Sequence, residues 1–349
     1  MHHTLGSPNS ARRYTLLLAT AGLLMASTAA LAQTPAASSA AWNNVVEAAK
    51  KEGTVTIYSG QGLDQLNDLA ARFKRDYGIT VQVVRAVQSE LQPKVDTEHA
   101  TGRGIADVFV TTDVPIIVDR NAKKFMVAPI GPAFDNPVYN RKVRIPEGTY
   151  FEVSAAILTF SWNKEMYPKG IKDYSDVLDP ALKGKIGIAN VTTLSMVDFN
   201  LYLEEKYGAD FLRKLADQQP RLYPGALPMA QAVVSGEVAV ALSTQPLLDE
   251  IKKGAPVDWG LSPTGAWGAR FYGQILSAAP HPNAAQLLAN YMVTQPGQEA
   301  VARMAGSVLP NVPGSIASTD KVRITDWSKL NLDFFNAYVA KWKPMFVKQ

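Results

Sequence analysis

The chain has 349 residues, 47% of them hydrophobic and 19% charged, too long for one small core and too apolar for a disordered or fibrous protein, so two units of ordinary size are expected. The formal charge of +4 falls to +2 once Arg12 and Arg13 are set aside, which gives no electrostatic footprint for nucleic acid. With no cysteine there is no disulfide, thiolate nucleophile or lipid-bearing residue, and of the four histidines only His99 and His281 lie beyond the first few residues, little from which to build a metal site or catalytic triad.

In chain order, Arg12 and Arg13 precede an apolar run, Tyr14 to Met25, followed by Ala30-Leu31-Ala32 and the polar Gln33. Charged region, apolar region and small-residue cleavage site in that order predict an export signal over residues 1–32, cleaved near Ala32. The run is shorter than the roughly 20 residues a transmembrane helix needs. The paired arginines also leave the twin-arginine export route open. Residues 41–52 carry Val45, Val46 and Ala49 on one helical face and end at Gly53. Thr54 to Tyr58 is a β-branched, apolar strand; Ser59-Gly60-Gln61-Gly62 breaks it before a helix over Leu63–Tyr77. The pattern repeats with a strand at Ile79–Val84, a helix at Ser89–His99 and a strand at Ala106–Val110 that ends in Thr111-Thr112. After the Pro- and Gly-punctuated stretch 129–148, a second such series begins with Tyr150–Trp162 and Lys185–Ala189, the latter running through Asn190-Val-Thr-Thr193 into a helix. Val238–Ser243 and Gln274–Ala278 read as further strands. Strands alternating with helices imply parallel sheets covered on both faces, whose ligands bind beyond the carboxyl ends of the strands.

Several segments together resemble the bacterial extracellular solute-binding family that includes ferric-iron, thiamine, aminoethylphosphonate and sugar-phosphate receptors of ABC importers. They are Gly53-Thr-Val-Thr-Ile-Tyr-Ser-Gly-Gln61, Gly104-Ile-Ala-Asp-Val-Phe109, Tyr174-Ser-Asp-Val-Leu-Asp-Pro-Ala-Leu-Lys-Gly-Lys-Ile186, Val234-Ser-Gly-Glu-Val-Ala239, and Pro280-His-Pro-Asn-Ala-Ala-Gln-Leu-Leu288 with Gln295-Pro-Gly-Gln298. The resemblance implies an α/β, two-lobed periplasmic-binding-protein fold of type II, with hinge segments crossing near Tyr150–Leu158 and Leu261–Ile275. Lobe 1 is then expected over residues 33–154, lobe 2 over 155–262, and the hinge return with the rest of lobe 1 over 263–349. It further implies a monomeric periplasmic receptor, not an enzyme, that captures a small-molecule solute by lobe closure and delivers it to a membrane permease served by a separate ATPase. No cofactor or nucleic acid is expected, and the chain has no Gly-x-x-x-x-Gly-Lys-Ser/Thr phosphate loop of its own.

Iron-binding members of the family are expected to use a first-loop His, a Glu after the third strand and two adjacent tyrosines; here those positions hold Gly62, Thr112 and Pro246-Leu247. What the loops do offer is neutral and rich in hydroxyls: Ser59, Gly60, Gln61, Thr111, Thr112, Thr192, Thr193 and Gln245. Beside helix N-termini such groups suit a phosphate, phosphonate or carboxylate head, with Arg85 or Arg270 as a bidentate partner. Thr192 or Thr193 could equally serve only as a helix cap. Trp267 and Tyr272 flank Arg270 and could line the cleft or pack the hinge. Two other readings stay open: a metal receptor using tyrosines such as Tyr58, Tyr202 and Tyr272, and an exported hydrolase, which would need a nucleophile beside a base and has no Gly-x-Ser-x-Gly motif. His281, between prolines, is expected to start a helix.

Overall fold

The computed structural model describes residues 35–347, so the expected export signal lies outside the described residues. The described residues form twelve strands: β1 (Thr54–Ser59), β2 (Thr80–Arg85), β3 (Val108–Thr111), β4 (Met126–Val127), β5 (Tyr150–Asn163), β6 (Ile186–Ala189), β7 (Arg221–Tyr223), β8 (Val240–Thr244), β9 (Val257–Gly260), β10 (Trp267–Leu276), β11 (Gly306–Ser307) and β12 (Ala317–Ser318). Their main order is β2-β1-β3-β10-β5-β8-β6-β7. β1 is parallel to β2 and β3, and β6 is parallel to β7 and β8, as the alternation with helices requires.

Two apolar cores divide this path. The first gathers Val55, Ile57, Val108 and Phe151 with Leu66 and Phe73 of the helix Leu63–Tyr77 and Leu287 and Leu288 of the helix Pro282–Met292. The second gathers Phe160, Ile186 and Val240 with Val197, Phe199 and Tyr202 of the helix Leu194–Tyr207. β5 and β10 join the two lobes: β5 pairs with β10 from Tyr150 to Leu158, and its far end pairs with β8 and β9 of the second lobe. The β10 segment Trp267–Phe271, expected as a crossing, is regular strand, because β5 supplies a full antiparallel partner along it.

Three of the family-like segments meet in a strut within the first lobe. Asp107, fully buried, accepts from the backbone N–H groups of Thr56 and His281, each at 2.7 Å, and so ties three segments distant in sequence. His281 sits at the N-cap of the helix Pro282–Met292, and its ring lies 3.0 Å from Asp107. The register of β5 against β10 slips between Phe271 and Tyr272, leaving Val153 out of the pairing; its carbonyl accepts from Nε2 of the buried Gln298 at 2.8 Å. Gly297 must be glycine there, since a Cβ would stand 1.9 Å from the Tyr291 carbonyl oxygen.

The C-terminal segment departs from the expected return to lobe 1. Gly306 and Ser307 do pair with β5, and Ala317 and Ser318 with them in turn, but the helix Leu332–Phe346 buries Trp342 and Phe346 in the second core, against the helices Leu194–Tyr207 and Phe211–Asp217. Those helices present an apolar surface that the amphipathic terminal helix covers. Among the described residues no helix is long and apolar enough to cross a membrane.

Candidate functional site

The strand ends and the crossing strands enclose a cavity of about 420 Å³. Gly60 and Gln61 after β1, Arg85 at the end of β2, and Val301, Arg303, Met304 and Ala305 wall it from the first lobe. Gln245 and Asp249 face them from the second lobe, and Ser154 of β5 and Phe271 of β10 lie at the junction. Four of the expected site residues, Gly60, Gln61, Arg85 and Gln245, thus come together from both lobes. Gln61 is buried: its N–H donates to the Ser59 hydroxyl at 3.1 Å and its Nε2 donates to the Ser154 hydroxyl at 3.0 Å, which fixes the first loop to the crossing strand. Arg85 is different. Its Nε reaches the Gln61 carbonyl at 3.4 Å, while its terminal nitrogens have no partner among the described residues.

Arg303 carried no signal in the sequence, because nothing local distinguishes it from a surface arginine. It lines the same cavity, 42% exposed, with its only carboxylate partner among the described residues, the largely exposed Asp64, 4.0 Å away. The next residue, Met304, takes a φ of 58°, a left-handed conformation costly for a side chain of this kind. Its N–H donates to the Gly314 carbonyl at 2.7 Å, and the Arg303 carbonyl accepts from Gln65 at 2.7 Å, so the turn that presents Arg303 is held on both sides.

A second cavity of about 410 Å³ opens alongside. It brings Thr112 of the first lobe to Thr193 of the second, together with Gln88, Asp113, Ser195 and Trp327. Thr193 does cap its helix, accepting from the Met196 N–H at 3.3 Å, so the capping role and a place on the cavity wall coexist. The neighbouring Thr192 is exposed and lines neither cavity.

The remaining expected residues are spent in the interior. Thr111 is fully buried in β3 and accepts from the Asp113 N–H. The Trp267 indole is buried against Phe199, and its Nε1 donates to the Asp198 carboxylate at 2.7 Å. Arg270 donates to Glu152 at 2.7 Å and to the carbonyls of Thr319 and Val322, each at 2.8 Å. Glu152 also receives Arg144 at 3.1 Å, so a buried carboxylate sits between two guanidinium groups. Of the two roles open to Trp267 and Arg270, lining the cleft or holding the hinge, the structure supports the second: neither lines either cavity, and the Trp267 Nε1 and the terminal nitrogens of Arg270 are already paired on β10 between the lobes. Tyr272 is half-buried with its ring edge-on to Tyr150, and it lines neither cavity.

Among the described residues no group of three or more His, Asp and Glu side chains is placed to hold a metal ion. Burial raises the pKa of Tyr58, Tyr202 and Tyr272 above the ordinary phenol value, and for Tyr58 the Glu98 carboxylate that accepts from its hydroxyl raises it further.

A family model of bacterial extracellular solute-binding proteins matches residues 55–304. Iron uptake protein A1 of Synechocystis sp. is 24% identical over 133 residues, 38% of this chain and 36% of that protein, so the match spans about a third of its length. Two solved structures share the fold. The iron-bound HitA of Pseudomonas aeruginosa superposes with a TM-score of 0.63 at 16% identity, covering 84% of this chain and 99% of that one. The periplasmic binding protein AfuA of Actinobacillus pleuropneumoniae, with fructose-6-phosphate bound, gives 0.62 at 21% identity over the same shares. The fold is the two-lobed, type II periplasmic-binding-protein fold.

Proposed function

Since the chain belongs to the bacterial extracellular solute-binding protein family, we propose that it is the periplasmic receptor of an ABC importer and that it captures a small organic anion between its lobes. The observation that carries the ligand class is the pair Arg85 and Arg303 on one cavity wall, their guanidinium ends lacking close partners. Two such groups can offer a carboxylate, phosphate or phosphonate paired, charge-assisted hydrogen bonds. Gln245 and Asp249 of the second lobe face that wall, so a solute seated on the arginines meets the other lobe only when the cleft closes, which makes its binding energy favour the closed form. Asp64 and Asp249 also line this cavity, so its formal charge is balanced and the arginines act through directed hydrogen bonds rather than net charge.

A ferric-iron receptor is the second reading, favoured by the iron-binding proteins among the structural neighbours. The residues Gly62, Thr112 and Pro246-Leu247 at the positions where iron-binding members are expected to carry their ligands weigh against it. The two are separated by a thermal-shift screen of protein stripped by unfolding and refolding, against phosphate esters, phosphonates, carboxylates and ferric salts. A solute at a hundredfold its dissociation constant adds about 2.7 kcal/mol to folding stability. Stabilisation by organic anions, lost in Arg303→Ala with Arg85→Ala, is expected; stabilisation by ferric iron alone sinks the anion reading.

A further inference from the structure

We propose that Trp327 is a specificity-determining residue and that the cavity it lines receives an uncharged, hydroxyl-bearing body of the solute whose anionic head sits at Arg85 and Arg303. The inference rests on the anion reading and adds what the rest of the solute is.

Charge sorts the two cavities. The first has two arginines beside two carboxylates, Asp64 and Asp249; the second has no cationic side chain and one carboxylate, Asp113, among hydroxyls and an amide. An anionic group is unwelcome beside Asp113, whereas ligand hydroxyls can donate to it and exchange hydrogen bonds with Thr112, Thr193 and Ser195. The Ser195 hydroxyl has no partner among the described residues, and Thr112 and Thr193 each accept one bond, from Gln88 at 2.7 Å and from the Met196 N–H at 3.3 Å, which leaves their O–H free to donate. The cavities adjoin: Gly60 lines the first, Gln88 the second, and a Cβ on Gly60 would stand 3.7 Å from the Gln88 side chain. Only this contact stands between them there, and the proposed solute spans it.

Trp327 supplies the apolar wall that such a body needs for its C–H face. It stands on the segment that runs from β12 to the terminal helix, and both of its flanks are anchored. On one side Thr325 donates to Asp198 at 2.6 Å and Arg323 pairs with Asp198 at 3.5 Å and with Glu205; on the other, Leu330 is buried in the second core. Asp198 is the same carboxylate that accepts from Trp267 of β10, so the ring's position is tied to the crossing strand. The indole is only partly buried against the second core, and its Nε1 has no partner among the described residues.

Matched probes of like charge test this by isothermal titration calorimetry on the chain stripped by unfolding and refolding: gluconate against hexanoate, and glucose 6-phosphate against inorganic phosphate. Wild type is expected to prefer the hydroxylated member of each pair. Trp327→Leu keeps apolar bulk but lacks the ring; it should weaken the hydroxylated members roughly tenfold while hexanoate and inorganic phosphate change by less than about twofold. Trp327→Phe should restore most of the preference. Equal weakening of all four probes, or no change in any, assigns Trp327 a packing role and overturns the proposal. If wild type binds the anions without preferring hydroxylated ones, this inference alone fails; if it binds none of the four, the anion reading fails and carries this inference with it.

Discussion

The junction between the lobes and the walls of the cleft use the same residue types to opposite ends. At the junction, Arg144 and Arg270 enclose Glu152, Arg270 adds two backbone carbonyls, and Trp267 donates to Asp198. On the cleft walls, Arg85 and Arg303 have almost nothing within reach, and Trp327 lines open volume. An arginine or an indole identifies neither role; what separates them is whether the fold already satisfies their donors. Burial makes an unpaired donor costly, so the terminal nitrogens of Arg144 and Arg270 are all paired although the Nε of each is not, whereas a donor left unpaired on a cavity wall is available to a solute.

The contrast can be broken most decisively at Glu152, whose side chain is 2% exposed. Glu152→Ala strands Arg144 and Arg270 without their shared carboxylate, and urea unfolding is expected to show a loss of about 3–5 kcal/mol. By comparison, Arg303→Ala, removing an exposed side chain with one distant partner, should change stability by less than about 0.5 kcal/mol while abolishing most anion binding. Comparable stability losses in the two variants would erase the distinction. The smallest effect is expected away from both regions, at Asp179. The Ala181 N–H, the Tyr167 hydroxyl and Lys169 hold its carboxyl down to about 2, below the usual carboxylate range. A depressed folded-state pKa contributes stability at pH above the unfolded value near 3.8 that is lost as pH falls toward 2. Asp179→Asn should therefore flatten the acid limb of a melting-temperature profile between those values and leave solute binding unchanged.

Much of the fold was legible because its signals are local. The apolar run Thr54–Tyr58, the breaks at Gly53 and Gly62, and the long β-branched and aromatic stretch at Tyr150–Trp162 each report burial of a strand directly. The loop positions followed from the same reading, since a cleft of this fold is built at strand ends, and Gly60, Gln61, Arg85, Thr112, Thr193 and Gln245 line the two cavities. The choice between cleft and hinge for Arg270 and Trp267 stayed open in the sequence because their partners, Glu152 and Asp198, are 118 and 69 residues away. Trp327 and Arg303 stayed hidden for the converse reason: the terminal segment crosses to the second lobe and the turn at Met304 is strained, and neither fact has a local signature.

By itself, then, the sequence determined the alternation of strands and helices and the loops at the strand ends, because periodicity and chain breaks act over a few residues, while the two-lobed architecture was implied by the resemblance of its segments to a known family. Only the tertiary structure decided which polar side chains were consumed and which were left open to the cleft, because hydrogen-bond saturation depends on partners that the chain brings together from far apart.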